Sequence, residues 1–267
     1  MLCETKNRFF IDKIGNPYNQ ILSEDFDFKG ESHYFLELLY VVSGCVQITE
    51  DEKVYILNEG DIIFYAPMEF HCLKSYKKTT PNIINLSFTV VGELPNKIFD
   101  GVYQLNVSQQ AQLLKCFELT ERYVADNDKS GYLGQYASVS LTALIIDICT
   151  QLKQKDAFLS ETSAHLYTQI VTTMLQTVYD NFSLLDLAKK HNISVSYLKK
   201  LFMTYASVSP KTFYNSLRIK EAVRLLSDGL QISQIAEKMN FSSPNYFSLF
   251  FKKHLGLTPM EYKRKNM

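Results

Sequence analysis

The 267-residue chain lacks the features that would place it in a class at first sight. Its five cysteines, Cys3, Cys45, Cys72, Cys116 and Cys149, are odd in number, scattered and without a CxxC pair, which argues for reduced thiols in a cytosolic protein rather than a disulfide framework. No apolar run approaches the ~18 residues of a membrane span, and the opening MLCETKNRFFIDKIGN carries charges where a signal peptide needs an apolar region. Secretion and membrane insertion are therefore not expected. Net charge is also missing, with 28 basic against 28 acidic side chains, yet this zero hides a division. Residues 161–267 hold 14 Lys and Arg against 7 Asp and Glu, a net of +7, and residues 1–160 carry the compensating −7. Such asymmetry suggests that the basic half meets a polyanion.

What the chain does contain is an echo. Asp186 to Pro210 reads DLAKKHNISVSYLKKLFMTYASVSP, and Gln234 to Pro259 reads QIAEKMNFSSPNYFSLFFKKHLGLTP. Tyr197/Tyr246, Phe202/Phe251 and Pro210/Pro259 are each 49 residues apart, whereas Ala188 and Ala236 differ by 48, so the second turn carries one extra residue. Two copies are too few for a solenoid, which needs about three stacked units to bury a continuous core. A tandem pair of recognition modules fits better.

In the first copy Ser183 and Asp186 form a capping pair, and Leu184, Leu185, Leu187 and Ala188 give a short helix its apolar side. Asn192-Ile193 breaks the pattern, and Ser194 caps a second helix over Val195–Tyr205 with Leu198, Leu201 and Phe202 inward. The second copy repeats this grammar: Ile232, Ile235 and Ala236, a turn at Asn240-Phe241, then Ser243-Pro244 as N-cap and first helical residue. The tyrosines and phenylalanines of both copies, Tyr197 and Tyr246 included, share the spacing of the leucines and are expected in the core. Ser209-Pro210 opens a longer connecting helix, about 25 Å long at ~1.5 Å per residue. Thr258 and Glu261 make a capping box for a last helix.

Leu217 to Leu226 (LRIKEAVRLL), Ile235-Ala236, Gly256-Leu257-Thr258-Pro259 and the paired motifs resemble the AraC/XylS family of transcriptional regulators over roughly the last hundred residues. The resemblance implies an all-α domain, residues 164–266, with helix-turn-helices at about 184–205 and 232–254 entering adjacent major grooves. Carried over by position, the base-facing sites fall on Ser196, Lys199 and Lys200 and on Pro244, Asn245, Ser248 and Leu249. Lys can donate to guanine and Asn can pair with adenine. Lys252, Lys253 and the amides that follow Ser194 and Ser243 would hold phosphates. Three departures stand out: Ser207 replaces a common Gly, Met203 follows Phe202 where a basic residue is frequent, and Leu249 stands where Arg is frequent.

Residues 31–91 alternate or run apolar between turn residues, as in FLELLYVV and KVYILNEGDIIFYAP, the signature of an antiparallel barrel or sandwich. His33-x3-Glu37-x6-Gly44 and Gly60-Asp61 leading to Pro67-x3-His71 are similar to the cupin barrel that such regulators use as a sensor, with Glu31 where a further His is usual and Met68 in place of Gly. The expected fold is α+β multidomain: a cupin-like barrel over 1–105, a helical region over 106–157, a linker at Asp156–Ser163, then the all-α domain. His33, Glu37, Tyr40, Tyr65 and His71 are candidates for an effector pocket; His33, Glu37 and His71 alternatively make a metal set or serve the structure alone. Phe35, Phe64 and Phe70 either line a cavity with them or fill the barrel. Helices at Gln109–Asn127 and Tyr132–Lys155, with Leu113, Phe117, Thr120, Val124 and then Leu141, Leu144, Ile145, Ile148 and Leu152 on one side, either dimerise, as the resemblance suggests, or pack on the barrel.

The function expected is a cytoplasmic, sequence-specific regulator, an activator by resemblance, that senses a small molecule such as a sugar and meets double-stranded DNA and RNA polymerase. No cofactor or catalytic residue is required. The rival is a metal-dependent cupin enzyme joined to a DNA-binding module.

Overall fold

A computed structural model of the chain describes residues 8–126, 131–151 and 154–266. The first half folds as two antiparallel sheets. One contains β1 (Phe9–Ile14), β2 (Tyr18–Ile21), β4 (Leu36–Ser43), β7 (Asp61–Tyr65), β9 (Asn82–Gly92), β10 (Val102–Gln104) and, beyond the helix pair in sequence, β11 (Gln154–Lys155). The other runs in the order β3 (Asp27–Glu31), β8 (His71–Ser75), β5 (Cys45–Glu50), β6 (Lys53–Asn58). The strands before Glu31 carried no signal in the sequence.

Six of the eight β4 residues are buried, because the strand is covered on both faces. Side chains alternate across a strand, so Leu36, Leu38 and Tyr40 join a core with α1 (Val107–Asp126) and α2 (Tyr132–Thr150), while Leu39 and Val41 join the core between the sheets. The space between the sheets is filled by Val46, Ile48, Tyr55, Leu57, Ile63 and Tyr65. In α1, Leu113, Phe117 and Thr120 are buried as expected, whereas Val124 is exposed. Leu141, Leu144, Ile145 and Ile148 bury the inner side of α2. Asn127 and Leu152 lie outside the described residues. By length and composition α2 would suffice to span a membrane, contrary to the sequence expectation, but its inner side is part of the sheet's core.

The stretch read as a linker is no free tether. Its residues run beside β6: the Ile56 amide donates to the Ala157 carbonyl and the Leu159 amide to the Val54 carbonyl. It then enters α3 (Thr162–Gln176), α4 (Leu184–Lys190), α5 (Val195–Tyr205), α6 (Pro210–Ser227), α7 (Ile232–Lys238), α8 (Pro244–Leu255) and α9 (Pro259–Asn266). The expected caps form: Ser183, Ser194, Ser209 and Ser243 each accept a backbone N–H three residues on, and Thr258 and Glu261 close the last box. Asn192 and Asn240 turn the chain between the helices of each motif with φ of 54° and 57°, a left-handed geometry that Asn tolerates.

Candidate nucleic-acid interface and effector site

The outward rows of α5 and α8 are the candidate reading surfaces. Burial of Leu198, Leu201, Phe202 and Tyr205 turns Ser196, Lys199 and Lys200 to solvent. On α8, Phe247 and Phe251 are buried, and Pro244, Asn245 and Leu249 are exposed, Leu249 to 67%. Ser248 is half-buried and its hydroxyl donates to the Pro244 carbonyl, 2.9 Å away. Lys252 and Lys253 are exposed in the last turn. Tyr197 and Tyr246 correct the expectation of a fully aromatic core: both are exposed, at 38% and 57%, because the third helical position after the cap lies at the rim of each motif rather than beneath it. Sequence reasoning also passed over Arg218 on α6, which is buried with its guanidinium 4.2 Å from the Phe241 ring centroid and donates to the Met239 carbonyl. It stitches α6 to the turn of the second motif.

In the sensor half, Glu37 projects beside His33 and His71, with Nε2 atoms 3.1 and 3.7 Å from its carboxylate oxygens. His33 Nδ1 contacts the Phe35 carbonyl at 3.0 Å and His71 Nδ1 the Glu69 carbonyl at 3.1 Å. A carbonyl only accepts, so each ring donates from Nδ1, which aims its Nε2 at Glu37. Burial acts to raise the Glu37 carboxyl, but the hydrogen bond from His33, the charge of His71 and the Asn85 amide outweigh it, and its pKa falls below the ordinary value. Burial lowers that of His71 and raises that of Glu31. Gly30, at φ 82°, allows the bulge in β3 that brings Glu31 level with His71; a Cβ there would lie 2.7 Å from the His71 carbonyl oxygen. Glu31, His33, Glu37 and His71 offer ligand atoms within 4.8 Å of one another, a donor set of the kind that holds a divalent metal ion.

The five-residue pocket expected from sequence does not assemble as a whole. Tyr65 stacks on His71 with centroids 4.1 Å apart, but Tyr40 points to the opposite face of β4, into the helix pair. Phe64 faces the same way, and Phe70 packs on Phe213 of α6, so these aromatics fill cores. A cleft of about 840 Å³ lies elsewhere, between the sensor, α3, α6 and α9. Its walls include Tyr34, Phe35, Met68 and Tyr262, with Lys13, Lys220, Arg224 and Lys265 as cations and Asp12 and Glu221 as anions. His33 stacks directly behind Phe35, centroids 3.7 Å apart.

A double-sheet domain fused to two linked helix-turn-helices defines a DNA-binding regulator that carries its own sensor. The chain belongs to the AraC family of transcription regulators: the AraC-like ligand binding domain matches residues 23–168 and a helix-turn-helix domain matches residues 187–265. It is similar to the Msm operon regulatory protein of Streptococcus mutans, 31% identical over 247 residues covering 85% of this chain and 83% of that one. It is also similar to the transcriptional activator RhaR of Mannheimia succiniciproducens, 22% identical over 242 residues and 87% and 86% of the two chains. Among solved structures, ToxT from Vibrio cholerae aligns over 97% of this chain and 98% of its own at 19% identity and a TM-score of 0.40. The relatives are transcription regulators, which are not enzymes.

Proposed function

We propose that the chain is a cytoplasmic activator that reads an asymmetric DNA element with α5 and α8 and answers to a small molecule held between its halves. One observation carries the reading: two serine-capped helices in 49-residue register leave unlike rows exposed, Ser196, Lys199 and Lys200 on one and Pro244, Asn245 and Leu249 on the other. The lysines suit guanine edges, Asn245 suits adenine and Leu249 a thymine methyl. Ser248 adds van der Waals contact, since its hydroxyl is engaged with the helix. Lys252, Lys253 and the first-turn amides beyond Ser194 and Ser243 hold phosphates.

The effector belongs in the interdomain cleft. Aromatic walls beside Lys13 and Lys265, with Lys220 and Arg224 already paired to carboxylates, suit a small molecule with an apolar or ring face and an anionic group. The residues expected as a pocket, His33, Glu37, Tyr65 and His71, stand behind its Phe35 wall and support it. Catalysis has no part in this reading. A second copy of the chain is a further partner, supported by Tyr132, Tyr136, Val139 and Ile146, an exposed apolar row at helical spacing on α2. RNA polymerase is the partner of the bound form, in keeping with the relatives named as activators.

Selection of bound sequences from a random DNA pool tests the reading. The expected product has two unequal half-elements about one helical turn, roughly 34 Å, apart. Failure to enrich any sequence would sink it.

A further inference from the structure

Two histidines of the sensor aim a ring nitrogen at one buried carboxylate, and one of those nitrogens is orphaned. His71 is 4% exposed and its Nε2 is shielded from water. Among the described residues nothing hydrogen-bonds that atom, and Glu37 Oε1 lies 3.7 Å away, beyond hydrogen-bond reach. His33 Nε2 stands 3.1 Å from the other Glu37 oxygen. Both rings are fixed from behind: each Nδ1 donates to a backbone carbonyl, Phe35 stacks on His33 and Tyr65 on His71. The Asn85 amide holds Glu37 in turn, by donating to its Oε1. An imidazole whose far N–H is tied to a carbonyl presents its other nitrogen in a set direction, as metal-binding histidines do. Glu31, which β3 pairs with His71, adds a second carboxylate, and the four donor atoms lie within 4.8 Å of one another.

We propose that Glu31, His33, Glu37 and His71 bind one divalent metal ion of the zinc class, and that this ion fixes the sensor's structure rather than serving a reaction. Charge calls for a cation. Among the described residues no lysine or arginine forms an ion pair with Glu31 or Glu37. A buried carboxylate is costly without a paired charge, and a divalent ion balances two carboxylates. The distances agree. Bonds of about 2.1 Å in a tetrahedral shell set neighbouring donor atoms roughly 3.4 Å apart, and the separations of 3.1 and 3.7 Å bracket that value. Glu31 is exposed, with the rotamer freedom to complete the shell. Four protein donors then leave no open position, which is the form of a structural site. The ion would lock His33, on which the Phe35 wall of the cleft rests. Nothing in this inference depends on the reading of DNA.

Zinc titration of the full chain, stripped with a chelator and dialysed, tests it. Calorimetry, with elemental analysis after gel filtration, should give one Zn²⁺ per chain at a Kd of about 1 μM or tighter. His71→Gln and Glu37→Gln should weaken binding about a hundredfold or more, and Glu31→Gln about tenfold. Zn²⁺ at about a hundredfold excess over its Kd should raise the parent's Tm by roughly 5 °C and leave that of His71→Gln where it was. Glu31→Gln changes an exposed side chain, so it decides the matter even where a buried variant fails to fold. A parent that retains no stoichiometric zinc, or affinity unchanged in Glu31→Gln, overturns the inference and assigns Glu37 to an ion pair with protonated imidazole instead. Zinc bound at these residues without a rise in Tm overturns the structural role.

Discussion

The two recognition units share a plan and differ in company. The first shares its core with the sensor: Val54, Phe70 and Cys72 pack in one cluster with Tyr167, Phe202, Tyr205 and Phe213. Polar contacts reinforce it. Tyr167 and Thr168 on α3 donate to the Asp51 and Glu52 carbonyls, and Lys220 on α6 pairs with Asp51 and lies 3.8 Å from Glu69. The second unit builds its core around Ala222, Leu226, Ile235, Phe247 and Phe251, with Met68 as the sensor's entry into it. Met68, which replaces a glycine of the barrel motif, also has a positive φ, 65°. The repeat thus has one unit built into the sensor and one carried on α6.

The largest test compares the repeat-equivalent phenylalanines. Phe202→Ala and Phe251→Ala each remove a fully buried ring, and each should cost about 3–5 kcal/mol by urea unfolding. The losses should be local to different degrees. Phe202→Ala is expected to speed amide exchange in β5, β6 and β8 as well as in α5, whereas Phe251→Ala should leave those strands as they were. Equal spread from both sites would erase the distinction between the units.

A smaller effect sharpens the difference in what is read. Lys199→Ala or Lys200→Ala should cost about 1–3 kcal/mol on the selected site and relax base preference within one half-element only. Leu249→Ala removes no hydrogen bond and should weaken the other half-element by less. Gel shifts on sites altered in one half at a time separate them. Loss of preference in both halves from a single substitution would contradict the assignment.

The recognition grammar was legible because it is local: Ser194, Ser209 and Ser243 cap where short-range rules place them, and leucine spacing fixes the buried side. The exceptions are informative. Tyr197 and Tyr246 keep core spacing but occupy the first turn, where the motif narrows, so period alone does not decide their burial. In the sensor, β4 and β7 are buried on both faces, so no polar row marks which side meets the helix pair; Tyr40 and Phe64 were for that reason unassignable between the two cores. The packing of α5 on the sensor left no periodic trace, because Thr49, Cys72 and Lys74, which donate to the Tyr205 and Thr204 carbonyls, are ordinary strand residues. Ser207, which donates to Asp27, and Met68, both where glycine is usual, were the visible signs. What they contact is set by tertiary packing between halves far apart in sequence.

The smallest test probes the charges sealed between the sensor and the first unit. Glu50 is buried beside Asp51 and Glu69, with both carboxyl oxygens shielded from water. Burial first, and the charge of Glu69 second, push its pKa well above the ordinary value. A group whose folded pKa is raised binds its proton more tightly when folded. Its contribution is fully present below the unfolded value near 4.5 and is lost as pH rises through the folded value. Glu50→Gln keeps the shape without the ionisation. It should therefore match the parent near pH 4.5 and exceed it increasingly toward pH 8. Thermal unfolding across that range reads the gap directly. A constant gap would mean that Glu50 does not titrate against folding, and the seal around the first unit would then be wetter than its packing implies.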